Sequence, residues 1–144
     1  LRQNEHPSIL ALIQPTSPFL LPVHISKLIK KMENTKECNS GQTITRVPHN
    51  YHSWNQRTFN NNNVEFLYKK ERTAAYNKQK KPILFNFGNL VAAYTESLIN
   101  GMDFFSAPSV GVEINWPYNI DVDNLQDLKL AEILLQSNSI INNK

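Results

Sequence analysis

Asp121 and Asp123 stand two apart in Asn119-Ile120-Asp121-Val122-Asp123. On an extended segment, residues i and i+2 share a face. Two carboxylates held that close repel each other unless a cation lies between them. Oxygen donors of this kind suit Mg²⁺, which keeps several waters and takes one or two carboxylates plus substrate phosphates. The pair also immediately precedes a stretch with helical periodicity, so Asp123 fits equally the role of helix N-cap. Pairs of the D-x-D type are common, and spacing alone favours capping and a solvated turn.

A second candidate is Gln14-Pro15-Thr16-Ser17-Pro18, which follows the apolar run Ile9-Leu10-Ala11-Leu12-Ile13. Ligands of open α/β sheets bind at the carboxyl ends of strands. There, Gln14, Thr16 and Ser17 offer donors and acceptors on a turn stiffened by two prolines, or form a plain Pro-Ser/Thr turn. His49 and His52 lie in Pro48-His49-Asn50-Tyr51-His52, where Pro and Asn argue against the helical turn a metal pair would need. They fit a ligand-contacting loop and an ordinary surface loop equally. Phe104 and Phe105 are adjacent, and on a strand they would point to opposite faces, one to the core and one to a pocket or interface. Cys38 is the single cysteine. It reads as a structural or surface thiol, and it excludes a disulfide framework.

These residues need elements to hold them. The run at residues 9–13, stopped by prolines, predicts a strand buried on both faces, as in a parallel sheet. Pro22 opens a helical pattern with Val23, Ile25, Leu28, Ile29 and Met32 inward and Lys27, Lys30 and Lys31 outward. Asn39-Ser40-Gly41 breaks the chain, and Thr43-Ile44-Thr45-Arg46-Val47 alternates as a strand. Strand, helix and strand make a βαβ unit. Residues 60–63 are four asparagines of 19 in the chain, a loop tip before a strand at 64–68. Residues 83–87 read as a strand, Gly88-Asn89 as a bulge or tight turn, 95–100 as a short helix capped by Thr95, and 110–114 as a strand. A last helix over about 124–136 places Leu125, Leu128, Ala131, Leu134 and Leu135 on one face.

The 144 residues carry 15 Lys and Arg against 12 Asp and Glu, a net charge of +3. The basic residues gather at 69–81 with few stacking aromatics, which makes a nucleic-acid binder the least favoured class. No apolar run is long enough to span a membrane. The chain starts at Leu1 with neither a basic n-region nor an apolar h-region, so no signal peptide is expected. A start without Met reads as a fragment, a processed form or a trimmed chain. The expected location is the cytoplasm.

Taken in order, Leu12-Ile13-Gln14-Pro15-Thr16-Ser17-Pro18, Arg46-Val47-Pro48-His49, Lys78-Gln79 with Pro82, Phe104-Phe105, and Asn119-Ile120-Asp121-Val122-Asp123 followed by Leu130-Ala131-Glu132 resemble the acylneuraminate (CMP-sialic acid) cytidylyltransferase family. The resemblance covers roughly residues 9–136 and shifts the balance at Asp121 and Asp123 towards metal. It implies an α/β fold with a mainly parallel, helix-flanked sheet of the nucleotide-diphospho-sugar transferase type. Residues 1–144 would form a single partial domain with a dimerisation excursion at about 59–105. The implied reaction moves CMP from CTP to a sialic-acid-like sugar acid in a homodimer. Mg²⁺ would sit on the catalytic pair Asp121 and Asp123. Gln14, Thr16 and Ser17 would contact the sugar, Arg72 or Lys78 its carboxylate or the phosphates, and Phe104 and Phe105 would wall its acyl group.

The chain also departs from the family. Its opening strand and Gly- and basic-rich nucleotide loop have no counterpart here. Leu20 follows Pro18-Phe19 where an arginine is frequent, and Gly88-Asn89-Leu90-Val91 lacks the family's tyrosine. The alternatives are a related nucleotidyltransferase for another sugar and a non-catalytic binding or dimerising module.

Overall fold

The computed structural model describes residues 7–75, 77 and 80–137. These form two compact units: Arg46–Asn86, and the segments on either side of it in sequence. The expected excursion at 59–105 runs across this division, because residues 87–105 belong to the first unit.

The first unit is built on a four-stranded sheet ordered β1-β5-β2-β6. Its strands are β1 (Ile9–Ile13), β2 (Ser40–Arg46), β5 (Phe85–Tyr94) and β6 (Ser109–Glu113). The helices are α1 (Pro22–Glu33), α3 (Thr95–Ile99) and α4 (Leu125–Gln136). β2 and β6 pair in parallel, Ser40 opposite Ser109 and Ile44 opposite Glu113. β1 and β5 pair antiparallel, Ile9 opposite Tyr94 and Ile13 opposite Leu90. β5 also runs against β2: the Tyr94 N–H donates to the Asn39 carbonyl (3.1 Å), while Thr43 meets Asn89 and Leu90. The expected mainly parallel sheet is therefore corrected to a mixed one with mostly antiparallel pairings. Among the described residues no crossover helix returns β5 to the direction of its neighbours, so it can run back between two parallel strands.

The doubly buried strand at residues 9–13 is corrected as well. β1 is an edge strand with one neighbour, and Ile13 is 50% exposed. The strand buried on both faces is β5, whose Leu90, Val91, Ala92 and Ala93 are all inaccessible. Gly88 and Asn89 lie inside β5 and not at a turn. A Cβ at Gly88 would come within 2.6 Å of Thr43 Oγ1 and 2.9 Å of Ile114, so the glycine permits close strand approach. Ser40 and Gly41 likewise belong to β2, where Gly41 leaves room for Met32.

α1 starts at Pro22 as its sequence requires. It buries Leu28 and Met32 with Cys38, Leu90 and Ala92. α4 buries Ala131 and Leu134 against Phe19, with Tyr118, Ile120 and Val122 packed around them. The five-residue apolar face expected for α4 is not buried as a whole: Leu125 is 75% exposed, because this small cluster meets one narrow stripe of the helix. α3 is capped by Tyr94 and not Thr95, and ends at Gly101 with φ +83°.

The second unit contains the hairpin of β3 (Arg57–Asn60) and β4 (Asn63–Phe66), and α2 (Lys69–Ala74). Asn61 and Asn62 both have positive φ, 49° and 63°, which suits the primed turns that join two-residue hairpins and which asparagine tolerates. The guanidiniums of Arg57 and Arg72 lie 4.5 and 5.4 Å from the Phe66 ring centroid. Residues 48–56, expected as a loop, contain two short 3₁₀ turns. No helix among the described residues is long and apolar enough to cross a membrane.

Candidate functional site

The carboxyl ends of the parallel strands β1, β2 and β6 lie at one end of the sheet, the end at which the antiparallel β5 begins. The Gln14–Ser17 turn leaves β1 there, closed by the Ser17 N–H on the Gln14 carbonyl (3.1 Å). Gln14 and Thr16 are exposed, whereas Ser17 is buried. The segment carrying the aspartates docks on this turn through one backbone bond, the Val122 N–H donating to the Thr16 carbonyl at 2.8 Å. Two regions far apart in sequence, expected separately to do chemistry, thus share one backbone hydrogen bond.

Val122 packs into the Phe19–Ala131–Leu134 cluster. That turns its side chain inward and leaves Asp121 and Asp123, on either side of it, exposed. The capping alternative for Asp123 fails on geometry. The N-cap of α4 is Asn124, whose Oδ1 accepts from the Gln126 and Asp127 N–H groups at 2.8 and 3.1 Å. Asp127 closes the capping box, accepting from the N–H groups of Asp123 and Asn124. Among the described residues, neither the Asp121 nor the Asp123 carboxylate has a hydrogen-bonding or ionic partner. No group of three or more His, Cys, Asp or Glu side chains could hold a metal among them. The donor set fits a hard cation that takes two carboxylates and completes its shell with water or ligand oxygens.

Sequence reasoning missed the residues that fix this loop. Thr43 Oγ1 accepts from the Asn89 and Leu90 N–H groups (2.9 and 3.0 Å) and donates to Asn89 Oδ1 (3.0 Å). Asn89 Nδ2 in turn donates to the Tyr118 carbonyl at 2.8 Å. The Tyr118 ring meets His24 edge-on, centroids 5.0 Å apart. His24 is 6% exposed, and its Nδ1 accepts the Leu21 N–H at 3.2 Å. Burial, and then the charge of Lys27, lower its pKa below the ordinary histidine value. The available signal was a polar residue next to a glycine inside an apolar strand, a mark of close approach.

Phe104 and Phe105 do not lie on a strand; they occupy a turn. Asp103 Oδ1 holds that turn, accepting from the Phe105 N–H (2.8 Å) and the Ser106 hydroxyl (3.0 Å). Phe104 is half-buried, and Phe105 is 54% exposed with its ring edge-on to Phe87, centroids 5.9 Å apart. Phe87 is near the start of β5, so Phe105 stands at the same sheet end as the Gln14 turn. Arg72 belongs to the second unit, on α2, and Lys78 lies outside the described residues. His52 is buried and structural: its Nδ1 accepts the Trp54 N–H (3.1 Å) and its Nε2 lies 3.0 Å from the Pro82 carbonyl oxygen. Cys38 is buried with its thiol on the Ser40 carbonyl.

The sequence matches no family model and no curated protein. Among solved structures, the fold is similar to that of CMP:2-keto-3-deoxy-manno-octonic acid synthetase, solved in complex with CTP, with a TM-score of 0.60 at 12% identity. The match covers 90% of this chain and 62% of the synthetase, so the chain spans under two thirds of that protein's length.

Proposed function

We propose that the chain is part of a cytidylyltransferase that moves CMP from CTP to an acidic sugar of the sialic-acid or 2-keto-3-deoxy type. The observation that carries this reading is the Val122–Thr16 bond, which joins the partner-free aspartate pair to the Gln14 turn at the carboxyl end of β1. The likeness of fold to a CTP-binding synthetase supports the nucleotide, and the motifs at Gln14 and Asp121 support the sugar acid.

In this reading Asp121 and Asp123 hold Mg²⁺, which when bound neutralises charge at the α-phosphate and acidifies the attacking hydroxyl. The chain's own residues supply position. Gln14 and Thr16 offer hydrogen bonds to the sugar, while the buried Ser17 stiffens the turn. Phe105, stacked edge-on against Phe87, would offer an apolar wall at the same end of the sheet. The Asn89–Tyr118 and Val122–Thr16 bonds hold the backbone on the N-terminal side of Asp123, and the i, i+2 spacing would turn both carboxylates to one face, leaving little reorganisation for the reacting state. Arg72 and Lys78 are the cations that would meet the sugar carboxylate or the phosphates. The second unit serves homodimer assembly, with Phe59 and Val64 opposite each other and exposed on its hairpin.

The test is CMP-sugar formation by the natural full-length gene product with CTP, Mg²⁺ and a panel of eight- and nine-carbon keto-deoxy sugar acids. Asp121→Ala and Asp123→Ala should each lower kcat by about 100-fold or more, the scale of one lost electrostatic contact in the transition state, with the fold intact by circular dichroism. Near-wild-type rates in both would overturn the assignment. One observation favours a second reading, a non-catalytic binding module. Gly41, Gly88 and Gly111 lie within strands and Gly101 ends α3, so none of the four glycines forms a phosphate loop.

A further inference from the structure

The second unit has a chemistry of its own. Arg46–Asn86 holds eight Lys and Arg against two Glu, a net of +6, so the rest of the chain carries −3 of the total of +3. A cleft of about 180 Å³ opens within this unit, lined by Arg46, His49 and Lys81 beside apolar Val47, Ile83 and Leu84. Among the described residues no acidic side chain lines it. Its frame is fixed. The Val47 N–H donates to the Leu84 carbonyl (2.9 Å), and the buried His52 ring lies 3.0 Å from the Pro82 carbonyl oxygen. The Lys81 ammonium is steered by its bond to Asn55 Oδ1 at 2.5 Å. Desolvation, and then the nearby Arg72 guanidinium, draw the Lys81 pKa below the usual lysine range.

We propose that this cleft binds the phosphate group of a small ligand, with Arg46, Lys81 and His49 as the recognising groups and Val47 and Ile83 beneath the attached carbon skeleton. A guanidinium fork and a separate ammonium supply donors in more than one direction. That matches a tetrahedral dianion better than a planar carboxylate, which a single fork satisfies. The site lies in a different unit from the aspartate pair and does not depend on cytidylyl transfer.

The probe is inorganic phosphate, titrated into the 144-residue chain by calorimetry and followed by amide NMR. Saturable binding is expected, with Arg46→Gln and Lys81→Gln each weakening it about tenfold, roughly one charge-assisted contact. Lys70→Gln removes the same charge from this unit outside the cleft, and it should change affinity less than about twofold. In the wild-type chain, which needs no variant to fold, the amides of Val47 and His49 should shift while those of Thr58 and Glu65 stay still. The absence of saturation, an equal loss in Lys70→Gln, shifts spread along the hairpin, or tighter binding of acetate than of phosphate would each overturn the proposal.

Discussion

Asp123 shows how one neighbour can take a structural role that spacing offers to a residue. The spacing of Asp121 and Asp123 was legible in the sequence, and so was the choice between metal ligand and helix cap. That Asn124 takes the cap, through hydrogen bonds from the Gln126 and Asp127 N–H groups, removes only the capping alternative for Asp123. His24 shows the opposite case, a residue with no motif whose burial makes it sensitive to pH. Its pKa in the folded chain is lowered, so the folded state binds fewer protons than the unfolded one below the ordinary histidine value. The stability it contributes as a neutral acceptor for Leu21 is present above about pH 6.5. It is lost as the pH falls through that value towards the lower folded pKa. Urea unfolding between about pH 8 and pH 5.5 should therefore show a steeper loss for the wild type than for His24→Gln. Parallel curves would place the protonation elsewhere.

At the scale of elements, the helices were the more legible. Pro22 fixes the start of α1, and its lysine face follows the helical period. Two strands were misread at a glycine, because Gly41 and Gly88 read as breaks until the side chains of the facing elements are known, whereas the strand around Gly111 was read as one. Gly88→Ala tests this. Its methyl would press on Thr43 Oγ1, where the Thr43–Asn89 pair holds the Tyr118 loop, so a loss of about 1–3 kcal/mol is expected by urea unfolding. At Gly101, where φ is +83° and no atom lies within 4 Å of a new Cβ, alanine meets backbone strain alone, and a cost of only about 1 kcal/mol is expected. Equal losses at the two sites would refute the close-approach account of Gly88. α4 was legible as a helix but not in its packing, since its period does not say how wide a partner it meets.

For the whole molecule, exposed apolar surface is the main unresolved demand. β1 exposes Leu10, Leu12 and Ile13, α4 exposes Leu125 and Ile133, and the hairpin exposes Phe59 and Val64. Surface of this kind favours association. A homodimer is expected in sedimentation at tens of micromolar, roughly the range where a standard-sized interface is occupied; a clean monomer there would refute it. Residues 1–144 alone are expected to form no CMP-sugar, because their glycines build no triphosphate cradle. Micromolar CTP affinity with product formation would overturn that. The strand pairings also set an order in time. Ile9 finds Tyr94 and Ser40 finds Ser109, whereas Arg57 finds Phe66 within a few residues. Closing long loops is slow, and rates fall as contacts become less local. In pulse-labelled refolding, hairpin amides should gain protection first. During synthesis, β1 leaves the ribosome long before the strand it needs, and spends that interval as an apolar segment that other chains or chaperones can capture.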